Sequence, residues 1–246
     1  RDCLMNISKV VTNLVSKMPP GQLFGYRDLS PSKKSPAVVM RVLSQMLSDD
    51  IIKRYSKGQY YLPKKGITVP FVGLSDDEIY RSVMFEGKNQ VGYFSGYTLY
   101  NQLKLTTQVP MVATIALEKR RPTIDDKSAK IQFVMARAPI NTADVLLLQY
   151  LDVLRNFRNI PDTTGSQVLK QMAGYLDLLD ASKLKKIQCI AKKYYNPATR
   201  AVLGLLLSKN NQTVLPILKL SLNPVTLFKF RLTEQEWPNM ADWKIL

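Results

Sequence analysis

Lys33, Lys34 and Ser35 stand together just ahead of a helical pattern, and within it Arg41 and Gln45 recur one turn apart. These residue types suit one kind of chemistry. Lysines, hydroxyls and the N–H groups of a helix start hold phosphate oxygens. Arg takes the edge of guanine bidentately, and Gln takes adenine. Further on, Arg54, Lys57, Gln59, Lys64 and Lys65 place cations and an amide around a glycine turn. The set is built to hold a polyanion, and nothing in it is a nucleophile beside a base.

Residues scattered over this span act together only if the chain folds them onto one surface. Leu4, Ile7, Val11, Leu14 and Met18 recur at three and four residues, the mark of one apolar helix face, and Pro19-Pro20-Gly21 stops that helix. Leu23–Phe24 suits a short strand and Tyr26–Leu29 a short helix, before a polar turn from Ser30 to Ser35. Pro36 opens the next helix, a favoured place for proline. That helix runs to Ser48 with Val39, Leu43, Met46 and Leu47 inward and Val38, Arg41 and Gln45 on the other side. Ile51–Tyr55 and Gln59–Leu62 flank Ser56-Lys57-Gly58 as a hairpin.

Helix, short strand, short helix, helix, hairpin is the order of a winged helix-turn-helix. The expectation is such a domain over residues 1–66, with the helix from Pro36 leading into the major groove of double-stranded DNA. Lys57 would stand at the wing tip with Gln59 beside it. Lys53 and Arg54 alternate across their strand, so at most one of them would face DNA with the wing. Lys64 and Lys65 would track phosphate.

Residues 67–246 read as a second domain, mixed and mainly helical with a small sheet, which makes the whole chain α+β. Ser75-Asp76-Asp77-Glu78 is a capping box with acids in the first turn. Val112–Leu117 and Lys130–Ala136 are strand patterns on either side of a basic turn. Lys119, Arg120 and Arg121 in that turn form a possible second basic patch. Residues 141–157, 166–179, 183–195 and 197–209 carry helical periodicity, and Leu218–Leu222 and Leu227–Leu232 suit short strands. The lysines of 183–193 read as a solvated face that can also touch nucleic acid. Tyr93, Tyr97 and Tyr100 suit one packed helix face better than a stacking platform.

The charge supports a polyanionic partner. Thirty-five Lys and Arg against nineteen Asp and Glu leave +16 over 246 residues. Residues 1–65 hold twelve of the cations and four of the acids, so half the excess lies in about a quarter of the chain. With no histidine, Ser–His and Cys–His catalysis have no base. Cys3 and Cys189 cannot make a four-ligand zinc site, and both read as buried thiols. No P-loop pattern is present. These absences imply no enzyme, no cofactor and no metal. No apolar run approaches the roughly 20 residues that span a bilayer, and no cleavable leader is evident, so a cytoplasmic, nucleoid-associated protein without membrane contact is expected.

The wing, Ile52-x-Arg54-x-x-x-Gly58-x-Tyr60, follows a helix of the form Leu43-Ser44-x-Met46. Later come Tyr93-Phe94-Ser95-Gly96-Tyr97-x-Leu99-Tyr100 and Leu105-Thr106-Thr107-Gln108-Val109-Pro110, then Pro197-x-x-Arg200-Ala201-x-Leu203-Gly204-x-Leu206-Leu207 and Leu222-Asn223-Pro224. Together these resemble the AbiEi-like antitoxin and transcriptional regulator family of type IV toxin-antitoxin and abortive-infection systems. The resemblance implies a protein that binds inverted repeats in its own promoter and represses it. It also implies a functional partner, a nucleotidyltransferase-like toxin, neutralised through the C-terminal region without need of a stable complex. The family brings no catalytic residue. Gln45 stands where many relatives carry Arg, so the operator sequence does not carry over. The alternative reading is a winged-helix protein-interaction module that meets an acidic protein partner.

Overall fold

The computed structural model describes residues 2–29, 35–56, 58–64, 75–87, 89–125 and 130–246. It is a mixed α+β chain that divides into two compact units, Arg1–Glu86 and Gly87–Leu246. The break falls after the capped helix that begins at Asp76, later than the 66/67 boundary read from the sequence.

In the first unit, helix α1 (Asp2–Ser16) leads to strand β1 (Leu23–Gly25), a 3-10 turn (Tyr26–Asp28) and helix α2 (Pro36–Ser48). Strands β2 (Lys53–Ser56) and β3 (Gln59–Tyr61) follow. The three strands form one antiparallel sheet in the order β1-β3-β2, with Phe24 opposite Tyr60 and Arg54 also opposite Tyr60 on the other side. The register slips between Arg54 and Ser56, and Gly58 takes φ 79° in the turn. That left-handed backbone is what glycine supplies at no steric cost.

One core joins these pieces: Val11 and Val15 of α1, Phe24, Leu29, Val39, Leu43 and Met46 of α2, and Ile52. The three- and four-residue spacing in α1 and α2 turns both apolar faces inward. Leu47 is only half buried at its edge. Helix α3 (Asp76–Met84) belongs to this unit as well. The expected capping box is there: Ser75 Oγ accepts from Glu78 N, and the Glu78 carboxylate takes Ser75 N at 3.0 Å.

Two short strands, β4 (Phe85–Glu86) and β5 (Asn89–Gln90), bracket the boundary. In the second unit, strands β6 (Gly92–Phe94), β7 (Ala113–Leu117), β8 (Ile124–Asp125) and β9 (Lys130–Met135) make one sheet in the order β6-β7-β9-β8. β7 and β9 run parallel, Ala113 opposite Ile131 through Leu117 opposite Met135. The basic stretch after β7 therefore opens a crossover and not a hairpin. All five residues of β7 are buried, as its unbroken small and apolar run requires.

The helices of this unit are α4 (Gly96–Gln102), α5 (Val145–Asn156), α6 (Gly165–Leu176), α7 (Ala181–Tyr194), α8 (Pro197–Lys209) and α9 (Pro216–Leu220). Asp180 and Asn196 cap α7 and α8, and Thr164 with Gln167 forms a capping box on α6. Ala201, Val202, Leu203, Leu205, Leu206 and Leu207 of α8 are fully buried, so this helix is the axis around which α5, α6, α7 and α9 pack.

Three sequence expectations change here. Leu218–Leu222 is not a strand: its first half belongs to helix α9, opened by Pro216. Leu218, Leu220 and Leu222 alternate with Lys219 and Ser221, a strand pattern, but five residues are too few to override a helix opened by proline. Leu227–Leu232 makes only an isolated bridge, Phe228 to Ile245. Cys189 is exposed, because it falls on the side of α7 away from Leu184, Ile187 and Ala191.

Candidate nucleic-acid interface

Helix α2 holds its position through Val39, Leu43 and Met46, and it ends where Asp49 N bonds back to Gln45 O and Asp50 turns left-handed at φ 56°. The opposite side faces solvent. Ala37, Met40, Arg41, Ser44, Gln45 and Ser48 are all exposed, and no Asp or Glu lies between Pro36 and Ser48. Arg41 and Gln45 are brought onto this face as expected. Among the described residues Arg41 has no hydrogen bond or ion pair. The Gln45 amide is engaged: its Nε2 donates to Asp49 Oδ1 at 3.0 Å. Ser35, the N-cap, makes no side-chain capping bond, which leaves its hydroxyl available at the helix start.

Sequence reasoning missed three residues on this face. Ala37 and Ser44 lie four and three positions from Arg41, Met40 lies three from Ala37 and four from Ser44, and that spacing was the signal. Met40 is the notable one, 57% exposed beside Arg41. An apolar side chain there can lie against a thymine methyl.

On the hairpin, Arg54 is exposed and Gln59 half buried. Lys53 bonds Asp50 at 2.6 Å, so of the two neighbouring cations this one is held back toward the end of α2. Lys64 has a partner within its own unit. Its ammonium lies 2.7 Å from Glu78 Oε1 on α3. Burial raises the Glu78 carboxyl, but the bonds from Lys64 and Ser75 outweigh that, and its pKa lies below the ordinary 4.5. Lys33, Lys34, Lys57 and Lys65 lie outside the described residues.

In the second unit, Lys119, Arg120 and Arg121 are all exposed after β7. The Arg121 guanidinium stands 5.4 Å from the centre of the Phe133 ring. The three tyrosines do not share a helix face. Tyr93 is buried on β6, Tyr100 is buried on α4, and Tyr97 is half exposed with its ring edge-on to Tyr100.

Tyr93 belongs instead to a closed polar cluster. Its hydroxyl donates to Asp152 Oδ2 at 3.0 Å, Ser95 Oγ donates to the same oxygen at 3.2 Å, and the Tyr195 hydroxyl donates to Oδ1 at 2.9 Å. Asp152 is 7% exposed. Burial raises its pKa, and the three donors oppose the rise without cancelling it. Nearby, burial pushes the Tyr100 hydroxyl up to about 12. The cluster binds β6, the start of α4, α5 and the end of α7 to one another. Among the described residues no group of three or more His, Cys, Asp or Glu is placed to hold a metal. No helix among them is long and apolar enough to cross a membrane.

No protein-family model matches the chain, and no curated protein does. Among solved structures, the crystal structure of the RV2827C protein from Mycobacterium tuberculosis is similar at 13% sequence identity and a TM-score of 0.49. The match covers 97% of this chain and 89% of that one. It is a remote likeness.

Proposed function

We propose that the first unit is a winged helix-turn-helix that binds double-stranded DNA through α2, and that the chain is a transcriptional autorepressor and antitoxin without catalytic activity. The observation that carries this reading is the outward face of α2. It is free of acids from Pro36 to Ser48 and holds an Arg41 unpaired among the described residues, and a glycine-turned hairpin follows the helix. A major groove about 12 Å wide admits one such helix, and an Arg on it distinguishes guanine from other bases. The concentration of positive charge in residues 1–65 supports the same partner. The antitoxin half, with a nucleotidyltransferase-like toxin as its functional partner, rests on the resemblance to AbiEi-like proteins alone.

A second reading has its own support. The exposed Met40 suits a protein contact as well as a methyl group on DNA, and a winged helix that docks an acidic protein would use the same face.

Binding of the purified protein to its own upstream DNA, against a scrambled duplex at two salt concentrations, separates these readings. Tight binding confined to the upstream fragment supports the autorepressor. Equal binding to both duplexes leaves only a basic module. Absence of binding together with a stable co-purifying acidic protein overturns the DNA reading in favour of the second.

A further inference from the structure

Helix α7 carries Lys183, Lys185, Lys186, Lys192 and Lys193 and no acidic residue. Its inward side is fixed on several counts. Leu184, Ile187 and Ala191 are buried in the core. Gln188 is buried too, and its side chain bonds Leu184 O, Thr213 O and Leu215 N, which pins the rotation of the helix. At roughly 100° per residue, Ser182, Lys185, Lys186, Cys189, Lys192 and Lys193 then fall within about a third of the circumference, and all six are exposed.

The surrounding acids do not neutralise this stripe. Asp180 pairs with Lys183, which lies beside it, and Asp144 pairs with Lys186 at 2.6 Å. Lys185 and Lys192 have no hydrogen bond or ion pair among the described residues. Lys193 stands over the Tyr194 ring, 5.0 Å from its centre. A helix surface serving solubility alone mixes both signs, and like charges one turn apart cost stability. An unmixed run of lysines is a surface waiting for anions.

We propose that the Lys185–Lys193 stripe of α7 is a second nucleic-acid contact, on the other unit from α2, which takes the phosphates of a duplex without reading its sequence. The stripe is about 12 Å long at 1.5 Å per residue, and a duplex carries one charge per about 1.7 Å of axis, so several phosphates face it at once. A lipid surface fits less well, because the apolar side of α7 is spent on the core and none is left to enter a bilayer. An acidic protein fits less well because the stripe has no exposed aromatic or aliphatic anchor. The inference stands apart from what α2 reads.

Cys189 lies inside the stripe, between Lys185 and Lys192, and reports directly on what covers it. The experiment uses the full chain with Cys3→Ser and follows alkylation of Cys189 by a neutral maleimide. A short scrambled DNA duplex, an RNA duplex of the same sequence and vesicles containing phosphatidylserine are added in turn. Protection by duplex of about tenfold at low salt, lost as salt rises because bound phosphates had released counterions, supports the proposal. The DNA and RNA arms tell which duplex is preferred. In the Lys185→Glu, Lys192→Glu, Lys193→Glu variant, protection disappears and the salt dependence of duplex affinity flattens by about 0.9 for each phosphate contact removed. Unchanged alkylation with both duplexes, protection by vesicles alone, or an unaltered salt slope in the triple variant overturns it. Arg41→Glu should leave Cys189 protection intact, so a failure of α2 to read sequence shows up separately.

Discussion

Lys64 and Glu78 meet over Gly21. The ammonium lies 2.7 Å from Glu78 Oε1, and a Cβ on Gly21 would overlap that same oxygen and press on Lys64 Cε. Gly21 also holds φ 88°, a conformation that L side chains rarely adopt. One glycine, one lysine and one capping glutamate thus fasten α3 to the end of β3 and the turn after α1. Replacing Glu78 with Ala removes both the cap and the ion pair and should cost about 1–2 kcal/mol. Gly21→Ala is destabilising in the native protein and less so when Glu78 is already Ala. Urea unfolding of the four members of that cycle measures the coupling.

This fastening also explains where the sequence was readable and where it was not. The inward stripe Val39, Leu43 and Met46 follows from spacing within one helix. So does the Ser75–Glu78 cap, whose partners are three residues apart. The Lys64 ion pair was not readable because its carboxylate partner belongs to a later helix, across a stretch whose length says nothing of proximity. Cys189 read as buried because it is flanked by apolar residues, although its angular position puts it with the lysines. Tyr93, Tyr97 and Tyr100 share helical spacing, yet the chain changes from strand to helix at Gly96, so spacing misled. The bonding of Tyr93 and Tyr195 to Asp152 joins residues far apart in sequence, and no local pattern announces it.

Two carboxylates give opposite responses to acid. The folded-state pKa of Glu78 is depressed, so its contribution is present above the ordinary 4.5 and is lost as pH falls through the lower folded value. Asp152 is raised above 3.8, so the folded state binds its proton more readily, and stability from this group declines as pH climbs from 3.8 through the raised value. Acid titration of stability should therefore be shallower at the low end in Glu78→Gln than in the native chain. In Asp152→Asn the opposing slope disappears. Identical curves for native and Asp152→Asn would refute the assignment.

Asp152→Asn tests the cluster at neutral pH as well. Three hydroxyls now donate to one carboxylate, and an amide offers them one acceptor oxygen and two donors. At least one of the three hydroxyls must give up donating to residue 152, with Tyr195 able to turn to Leu148 O, and the rearrangement should cost about 1–3 kcal/mol. Tyr195→Phe removes a donor without adding one and should cost less. Thermal unfolding of the two variants ranks them.

The Gln45–Asp49 bond holds the amide of α2 against the end of its own helix. Asp49→Ala frees it and removes a negative charge just past the end of α2, beside the proposed DNA face, so duplex binding should tighten. Arg41→Ala should weaken binding to the preferred sequence by about 1–3 kcal/mol while scrambled DNA changes little. Fluorescence anisotropy with both duplexes separates the two effects. Equal losses on both duplexes would remove Arg41 from base reading.

Gly204 lies against Trp243, where a Cβ would overlap the indole ring, and the indole N–H donates to Ser208 Oγ at 3.0 Å. Gly204→Ala should displace the ring and cost about 1–3 kcal/mol, as overpacking does. A shift in tryptophan emission should accompany the loss of stability.

That contact has a consequence for how the protein is made. The buried face of α8 is completed by Trp237, Met240, Trp243 and Ile245, all of which follow it by tens of residues. On a ribosome delivering about 5–20 residues per second, the first unit has all its parts once Glu86 has emerged. The second waits, with one side of its most apolar helix uncovered, until Ile245 is free. Synthesis therefore passes through an interval in which the unit bearing α2 can close and the unit bearing α8 cannot. A nascent chain halted before Trp237 would keep its first fold and present the leucines of α8 to chaperones.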